Sequence, residues 1–455
     1  MKVTDKSEDR AGYGSYSFSE SVPVRYSCGV LVIGAGPSGI AAAVSAARAG
    51  QTVVLCERYA FAGGMLTLGQ ISPILGSVCP GTFADEFIGL LREEEGGCPE
   101  YRTRNGREIP ADRETAKRVT DKLIRSEKNI TFLGSTAFVS VMKRGEHVCG
   151  GIFSSQSGLF GVESKITVDC TGDGCAAAAA GAEYSVGRES DGGIQPMSLE
   201  FTLTGVDESR AITAWGGSDP VKIPSGPYAG MEYRELCKAK NREGELPRNV
   251  TIVRLHGGTR PGERSVNATQ TNGRDPLDPE SLTGAGSDLI PQIAACHDFL
   301  RKYIPGFENS VIKSSSDAIG VRESRRIHGI DAVTDEDVGT GRARPDAAVH
   351  SAWFLIDIHN PAGGGQAEGF AHEAKPYDIP YGALVPAGVP DMLVAGRCIS
   401  GTHRAHASYR VMVICMATGE AAGAAAALCA ASGRQPSELP PEELRSLLRK
   451  RGVEM

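Results

Sequence analysis

Gly34-Ala-Gly36-Pro37-Ser38-Gly39 and Glu57 are the first residues in this chain whose types and spacing serve a chemical purpose. The glycine motif follows a short apolar run, 29–33, suited to a buried parallel strand. It opens an alanine-rich stretch, 40–49, that favours helix and that Gly50 closes. A second apolar run, 52–56, ends in Glu57. A lone GxGxxG says little in a glycine-rich chain. This one has a strand before it, a helix after it and an acid 18 residues past its last glycine. Gly34 permits the tight turn, Gly36 lets backbone approach a pyrophosphate, and Gly39 lets helix and strand pack closely. The helix N-terminus offers free amides and a positive dipole end to the phosphates. Glu57 accepts from a ribose hydroxyl and repels a 2′-phosphate, which disfavours NADP. A dinucleotide is the expected ligand.

Just beyond Glu57 the chain reads Arg58-Tyr-Ala-Phe-Ala-Gly63-Gly64-Met65. A strand ending in Glu-Arg and followed closely by Gly-Gly resembles FAD proteins of the glutathione-reductase-like superfamily. There the adenosine end sits on the GxGxxG and the flavin extends past the Gly-Gly turn. No second GxGxxG has strand and helix flanks: Gly172-Asp173-Gly174 lacks the third glycine, and Gly363-Gly-Gly365 leads into a polar loop. One FAD and no nicotinamide domain is the expectation. Cys170-Thr171-Gly172-Asp173 resembles the Ala-Thr-Gly turn where such chains return beside FAD. Run 392–395 leads into Gly396-Arg397-Cys398-Ile399-Ser400, and a long helix is expected over 409–431. Its start, with Val411 and Met412, would face the flavin N1/O2 edge, where charge accumulates on reduction.

Together these residues resemble one family, the FAD-dependent oxidoreductases with the broad "FAD dependent oxidoreductase" domain, over about residues 28–432. Further marks are Gln195-Pro-Met197, Tyr303-Ile-Pro-Gly-Phe307, Ile319-Gly-Val-Arg-Glu-Ser-Arg-Arg326 and Tyr377-Asp-Ile-Pro-Tyr381. The resemblance implies that FAD is held by the five loop residues Gly34, Gly36, Pro37, Ser38 and Gly39, with Glu57, Arg58, Gly63, Gly64 and Met65. It adds Phe138 on the adenine-side run 137–141, then Thr171, Gly172, Asp173, Gly396, Arg397, Val411 and Met412.

A flavin oxidoreductase needs a substrate C–H over flavin N5, a base for the proton, and charge stabilisation near N1/O2. His403 and His406 are the candidate bases, because the chain there threads from the FAD strand to the last helix. His359, after the strand-like run 353–358, is third, and the other histidines read as structural. Arg410, read as opening the last helix, would face the flavin edge or a substrate carboxylate. Arg322, Arg325 and Arg326 surround Glu323 and read first as an ion-pair network, with anion binding the alternative. Zinc at His403-x-x-His406 has no further ligands in sight, so no metal is expected. Cys170 and Cys398 read as packing residues.

The elements that must position these groups predict an α/β fold: a Rossmann-like FAD-binding domain of glutathione-reductase type, interrupted by an inserted α+β substrate domain. Residues 28–75, 110–182 and 385–432 would build the FAD domain, and 76–109 with 183–384 the substrate or cap domain. Within it 257–286 reads as loop and 289–304 as an amphipathic helix. Residues 1–27 read as a polar leader and 433–455 as a C-terminal charged helix, a solvated face or a homo-oligomer contact.

Composition excludes several classes. The 48 basic and 55 acidic residues give a net charge of −7, with no footprint for nucleic acid or an anionic membrane. The 12 cysteines include no Cys-x-x-Cys pair, which suits reduced thiols in the cytoplasm. The alanine runs 176–180 and 421–431 fall short of the ~20 residues of a membrane span. The 57 glycines mark tight turns in a folded chain. The expected protein is an FAD-dependent oxidoreductase passing a hydride between a small polar organic substrate and flavin N5, with the electron acceptor open. The alternatives are a thiazole-type group-transfer enzyme on an FAD/NAD scaffold and a non-catalytic flavoprotein.

Overall fold

The computed structural model describes residues 2–8, 14–94, 100–103, 106–213, 220–363 and 374–455. The elements that build the main sheet and its cover begin, in chain order, with β1 (Val24–Ile33), α1 (Pro37–Arg48), β2 (Val53–Cys56), α2 (Arg113–Ser126) and β3 (Ile130–Leu133). Next come β4 (Ala137–Arg144), β5 (His147–Ser155), β6 (Gly158–Asp169) and α3 (Cys175–Ala179). A second group comprises β7 (Phe201–Thr204), α4 (Tyr233–Arg242), β8 (Arg254–Gly257), β9 (Arg264–Asn267), α5 (Pro279–Tyr303) and β10 (Val311–Ser315). The chain closes with β11 (Met392–Val394), α6 (His403–Tyr409), α7 (Met412–Ser432) and α8 (Pro441–Lys450).

The main sheet has the order β3-β2-β1-β6-β5-β4, parallel from β3 to β6 and antiparallel across β6-β5-β4. The last residues of β6, Thr167–Asp169, pair in parallel with β11 instead of β5. Every residue of β2 and β11 is buried, as expected of parallel strands covered on both faces. This is the Rossmann-like α/β arrangement that the motif spacing predicts. Strand β1 already pairs with β6 at Val24, so the last residues of the expected leader belong to the sheet.

α7 packs against α1 with almost no space between the backbones. A Cβ on Gly419 would stand 2.0 Å from the Ser38 carbonyl oxygen, and one on Gly423 2.1 Å from that of Ala42. At 21 residues α7 is long and apolar enough to cross a membrane, against the expectation from the alanine run alone, yet nearly all of it is buried in the core. The helix also starts later than expected, at Met412. Thr402 caps a separate helix, α6, by accepting from the Ala405 amide, and Val411 is extended. Arg410 therefore closes α6 and does not open α7.

Glu420 lies within α7, where its Oε2 accepts from the Phe83 amide at 2.9 Å. Burial pushes its carboxyl up to about 7 from 4.5. A carboxyl whose folded pKa exceeds its unfolded value favours folding fully below the unfolded pKa, and that contribution is lost as pH rises through the folded pKa. Glu420→Gln keeps an acceptor for Phe83 and removes the buried charge. It is expected to gain about 2–3 kcal/mol in urea unfolding at pH 8 and nothing near pH 4.5. An equal gain at both pH values would contradict this.

The second group forms an antiparallel sheet, β8-β9-β7-β10, covered by α4 and α5 around its own hydrophobic core. Stretch 257–286, expected as loop, holds β9 and the first turns of α5, which Asp278 caps by accepting from the Ser281 amide. The strand expected over 353–358 lies instead at Ala347–Ala352, and its register shifts next to Ser351, whose φ is 53°. Residues such as Phe87, Ile109, Ile327 and Tyr377 join the first core. The segment after the Gly63-Gly64 turn ties the two groups together: Asp317 N–H donates to the Leu68 carbonyl, and the Ser316 and Ser265 hydroxyls to those of Gly69 and Ser72. α8 buries Leu444 and Leu448 and leaves Glu442, Glu443, Arg449 and Lys450 exposed.

Candidate active site

The loop between β1 and α1 is held from three sides. The Gly34 amide donates to the Cys56 carbonyl at 2.8 Å, the Ala35 amide to Glu57 Oε2 at 2.7 Å, and the Gly63 amide to the Ala35 carbonyl at 2.8 Å. Glu57 also accepts from the Tyr59 amide. Gly34 has φ +93°, and a Cβ there would meet the Cys170 carbonyl at 2.7 Å. On Gly39 it would stand 1.8 Å from the Gly34 oxygen. On Gly36 it would meet nothing within 4 Å. Gly34 and Gly39 are thus closed by packing, while Gly36 presents bare backbone to open space at the N-terminus of α1, with Pro37 in its first turn and Ser38 buried beneath. Gly64 closes on Gly36 from the far side, its Cβ position 2.8 Å from the Gly36 Cα, and Met65 follows in a short helical turn. Such a concavity of backbone at a helix N-terminus fits a pyrophosphate.

The return turns meet beside it. Buried Asp169 accepts from the amides of Thr171, Ala176 and Ala177 and so caps α3. Asp173 pairs with Arg397 at 2.6 Å and accepts from the Ser324 hydroxyl. Burial alone would raise the Asp173 carboxyl, but Arg397 and Ser324 hold it below the usual range. Gly172 lies over the Arg397 guanidinium, and Gly396 against the Ser38 hydroxyl. The start of α7 docks on the preceding segment: the Val413 amide donates to the Leu75 carbonyl, and Val411 abuts Gly76. Arg58 lies over the Tyr59 ring. Phe138 turns its ring onto Phe153 in the core, while the residues just before it, Ser135 and Thr136, donate to the Tyr59 and Glu57 carbonyls.

α6 carries the two expected bases, and the structure treats them differently. His403 is buried, with Nδ1 2.8 Å from Glu323 Oε1 and Nε2 without a partner among the described residues. His406 is fully buried and edge-on to Tyr409, and neither ring nitrogen has a partner among the described residues. Burial, then Arg410, Arg326 and Arg397, hold its imidazole well below its ordinary pKa, so it is neutral. Arg326 is saturated by Glu323, Glu189 and the carbonyls of Gly187 and Gly401, which makes this part of the 322–326 cluster an internal ion-pair network. Arg410 donates to the Asp357 carbonyl at 2.8 Å. His359 lies 3.2 Å from Asp357 Oδ2, and burial with Arg322 pushes its imidazole down to about 3. His147, His256, His297, His328 and His350 each have a protein partner, and His372 lies outside the described residues. Burial raises the Cys170 and Cys398 thiols, which leaves them unreactive.

Three charged residues at this place were not singled out from the sequence: Glu200, Arg254 and Asp357. Each interrupts an apolar run, as in Leu199-Glu200-Phe201, Val253-Arg254-Leu255 and Ile356-Asp357-Ile358. A charge inside a strand-like run is the signal that marks them.

The model of the family described as "FAD dependent oxidoreductase" matches residues 29–448. The chain belongs to that family. This FAD-dependent oxidoreductase is therefore an enzyme with FAD as its cofactor. No curated protein sequence matches it. Among solved structures it is similar to a geranylgeranyl bacteriochlorophyll reductase-like protein from Thermoplasma acidophilum, at 12% identity and TM-score 0.47 over 94% of this chain and 84% of that one. It is similar to the flavin-dependent brominase Bmp2 at 13% identity and TM-score 0.46, over 93% and 83%. Aquifex aeolicus GidA follows at 17% identity and TM-score 0.46, over 90% and 64%.

Proposed function

We propose that the enzyme moves a hydride between a small polar organic substrate and FAD, with His403 handling the accompanying proton. When bound, FAD supplies a two-electron carrier at its N5. Gly34, Gly36 and Gly39 with the α1 N-terminus would hold the pyrophosphate, and Glu57, which keeps lone pairs beyond its two backbone partners, the ribose. Arg397 and Asp173, already paired, would line the sugar-alcohol chain, and the start of α7 would face the flavin edge. The observation that carries the reading is the Glu323–His403 pair. The carboxylate fixes the ring through Nδ1 and leaves Nε2 buried and unpartnered among the described residues, the arrangement that suits a group taking or giving a proton. His406 stays neutral and packs the α6 turn. Free, mostly buried thiols suit a cytoplasmic setting.

The test is anaerobic mixing of the FAD-loaded enzyme with small alcohols, amines and hydroxy acids, and of its reduced form with unsaturated or oxo acids, following flavin absorbance. One class is expected to change the flavin's redox state. His403→Gln is expected to slow that step by roughly 10²–10⁴-fold with FAD content unchanged. Flavin that dithionite reduces but no substrate touches would contradict a catalytic role, and equal rates in the variant would remove His403 from it.

A further inference from the structure

Three arginines from three separate elements converge on Asp357, and one of them, Arg410, also acts on Glu323, the partner of His403. Arg254 begins β8, Arg322 follows the segment that bridges Ser198 to Gly320, and Arg410 closes α6. Asp357 is the carboxylate they share: Arg410 donates to its backbone oxygen at 2.8 Å and lies 3.4 Å from Oδ2, and Arg254 and Arg322 act on it electrostatically. Their hydrogen bonds are far from complete. Arg322 Nη1 reaches only a neutral group, the Pro196 carbonyl, at 2.8 Å. Arg254 Nη1 and Arg410 Nε are buried and have no partner among the described residues. Gln195 is 1% exposed, and its Oε1 accepts from the His359 amide while its Nε2 has no partner among the described residues.

The charge does not balance either. Three guanidiniums face Asp357, while Glu323, which also acts on Arg410, is already paired with Arg326; burial pushes the nearby Glu200 carboxyl up to about 8, and burial with Arg322 pushes His359 down to about 3. Crowding by burial and by Arg410 drags even Arg322 down to about 10. Unpaired buried cations cost several kcal/mol each, and Arg326 nearby shows how this chain satisfies a guanidinium that is purely structural. The place is not sealed: about a third of the Asp357 side chain, 32%, is exposed. All the waiting donors are planar side-chain forks and an amide. That set suits a carboxylate better than a phosphate, which typically takes a nest of backbone amides as well.

We propose that Arg254, Arg322 and Arg410, with Gln195 Nε2, form the subsite that anchors the substrate by a carboxylate, and that a dicarboxylate dianion is the class held most tightly. The inference rests on the oxidoreductase reading for its location in the active site, and its test separates the two. Asp357 orients Arg410 and His359 at the edge of the subsite and repels an anion placed too close to it, which fixes where the carboxylate sits.

Malonate serves as the probe, with its uncharged diamide and inorganic phosphate as comparisons, in equilibrium dialysis against the FAD-loaded enzyme. Malonate is expected to bind and its diamide not to. Arg254→Met and Arg322→Met are each expected to weaken malonate binding at least tenfold, with FAD content unchanged and a malonate-free melting temperature no lower than the parent's. Arg254→Lys, which keeps the charge and guards against a misfolded variant, should lose less. The proposal is overturned if malonate does not bind, if the variants bind it as well as the parent, or if phosphate binds more tightly. It is equally overturned if the variants shed FAD while malonate binding persists, since the arginines would then serve the cofactor. A chain that takes no FAD but binds malonate through these arginines would keep the anion site and remove the oxidoreductase reading.

Discussion

Gly36→Val is expected to leave a folded chain that no longer retains FAD. Gly36 has φ −72° and ψ −174°, extended backbone that valine adopts without strain, and a Cβ there meets nothing within 4 Å. Nothing in the protein therefore resists the new side chain. The space it enters is the one over which the α1 amides face a pyrophosphate. Affinity for FAD should fall at least ~100-fold, about 3 kcal/mol, while urea unfolding of the FAD-free protein moves by less than about 0.5 kcal/mol. Gly39→Val makes the contrast, since its Cβ would stand 1.8 Å from the Gly34 oxygen and must distort the loop itself. Titration of flavin fluorescence into each FAD-free variant separates the two effects. Undiminished FAD binding by Gly36→Val would mean that the pyrophosphate lies elsewhere.

The second large effect is in stability. Gly419→Val would place a Cβ 2.0 Å from the Ser38 carbonyl oxygen, and that oxygen belongs to backbone that no rotamer change can move. α1 and α7 would have to separate, opening the core between them. The expected cost is about 3 kcal/mol or more, read as a fall in the urea midpoint. Because Ser38 follows Gly36 in the same helix turn, FAD affinity should fall as well. Gly339→Ala is the matched control: its Cβ meets nothing within 4 Å, so its stability should change little. A Gly419→Val protein as stable as its parent would show that the two helices are not held at this distance.

The parts legible in the sequence are those whose chemistry is local. Strand, glycine turn, helix and acid over 29–57 are each dictated by neighbours along the chain, and the structure places them there. The four-residue spacing of Gly419 and Gly423 likewise announces a close helix contact. The rest depends on residues far apart. Tyr409-Arg410-Val411 is compatible with continuous helix; the break comes because the next turn docks its Val413 amide on Leu75. β9 hides in a Gly- and Asn-rich stretch because one of its two partners, β7, lies far back in the chain at Phe201–Thr204. Gly284 and Gly286 read as loop, yet α5 runs through both, because Leu289, Ile293, Cys296 and Leu300 line its buried face. The arginine cluster was the least legible. Arg254, Arg322 and Arg410 come from positions that only the tertiary fold brings to one carboxylate.

The most direct test is the visible spectrum of the purified protein, followed by reconstitution with FAD and a count of bound flavin per chain. One FAD per chain is predicted, lost on purification of Gly36→Val and regained only at FAD concentrations at least ~100-fold higher. A colourless protein that binds no FAD, or a Gly36→Val protein as yellow as its parent, would contradict the assignment.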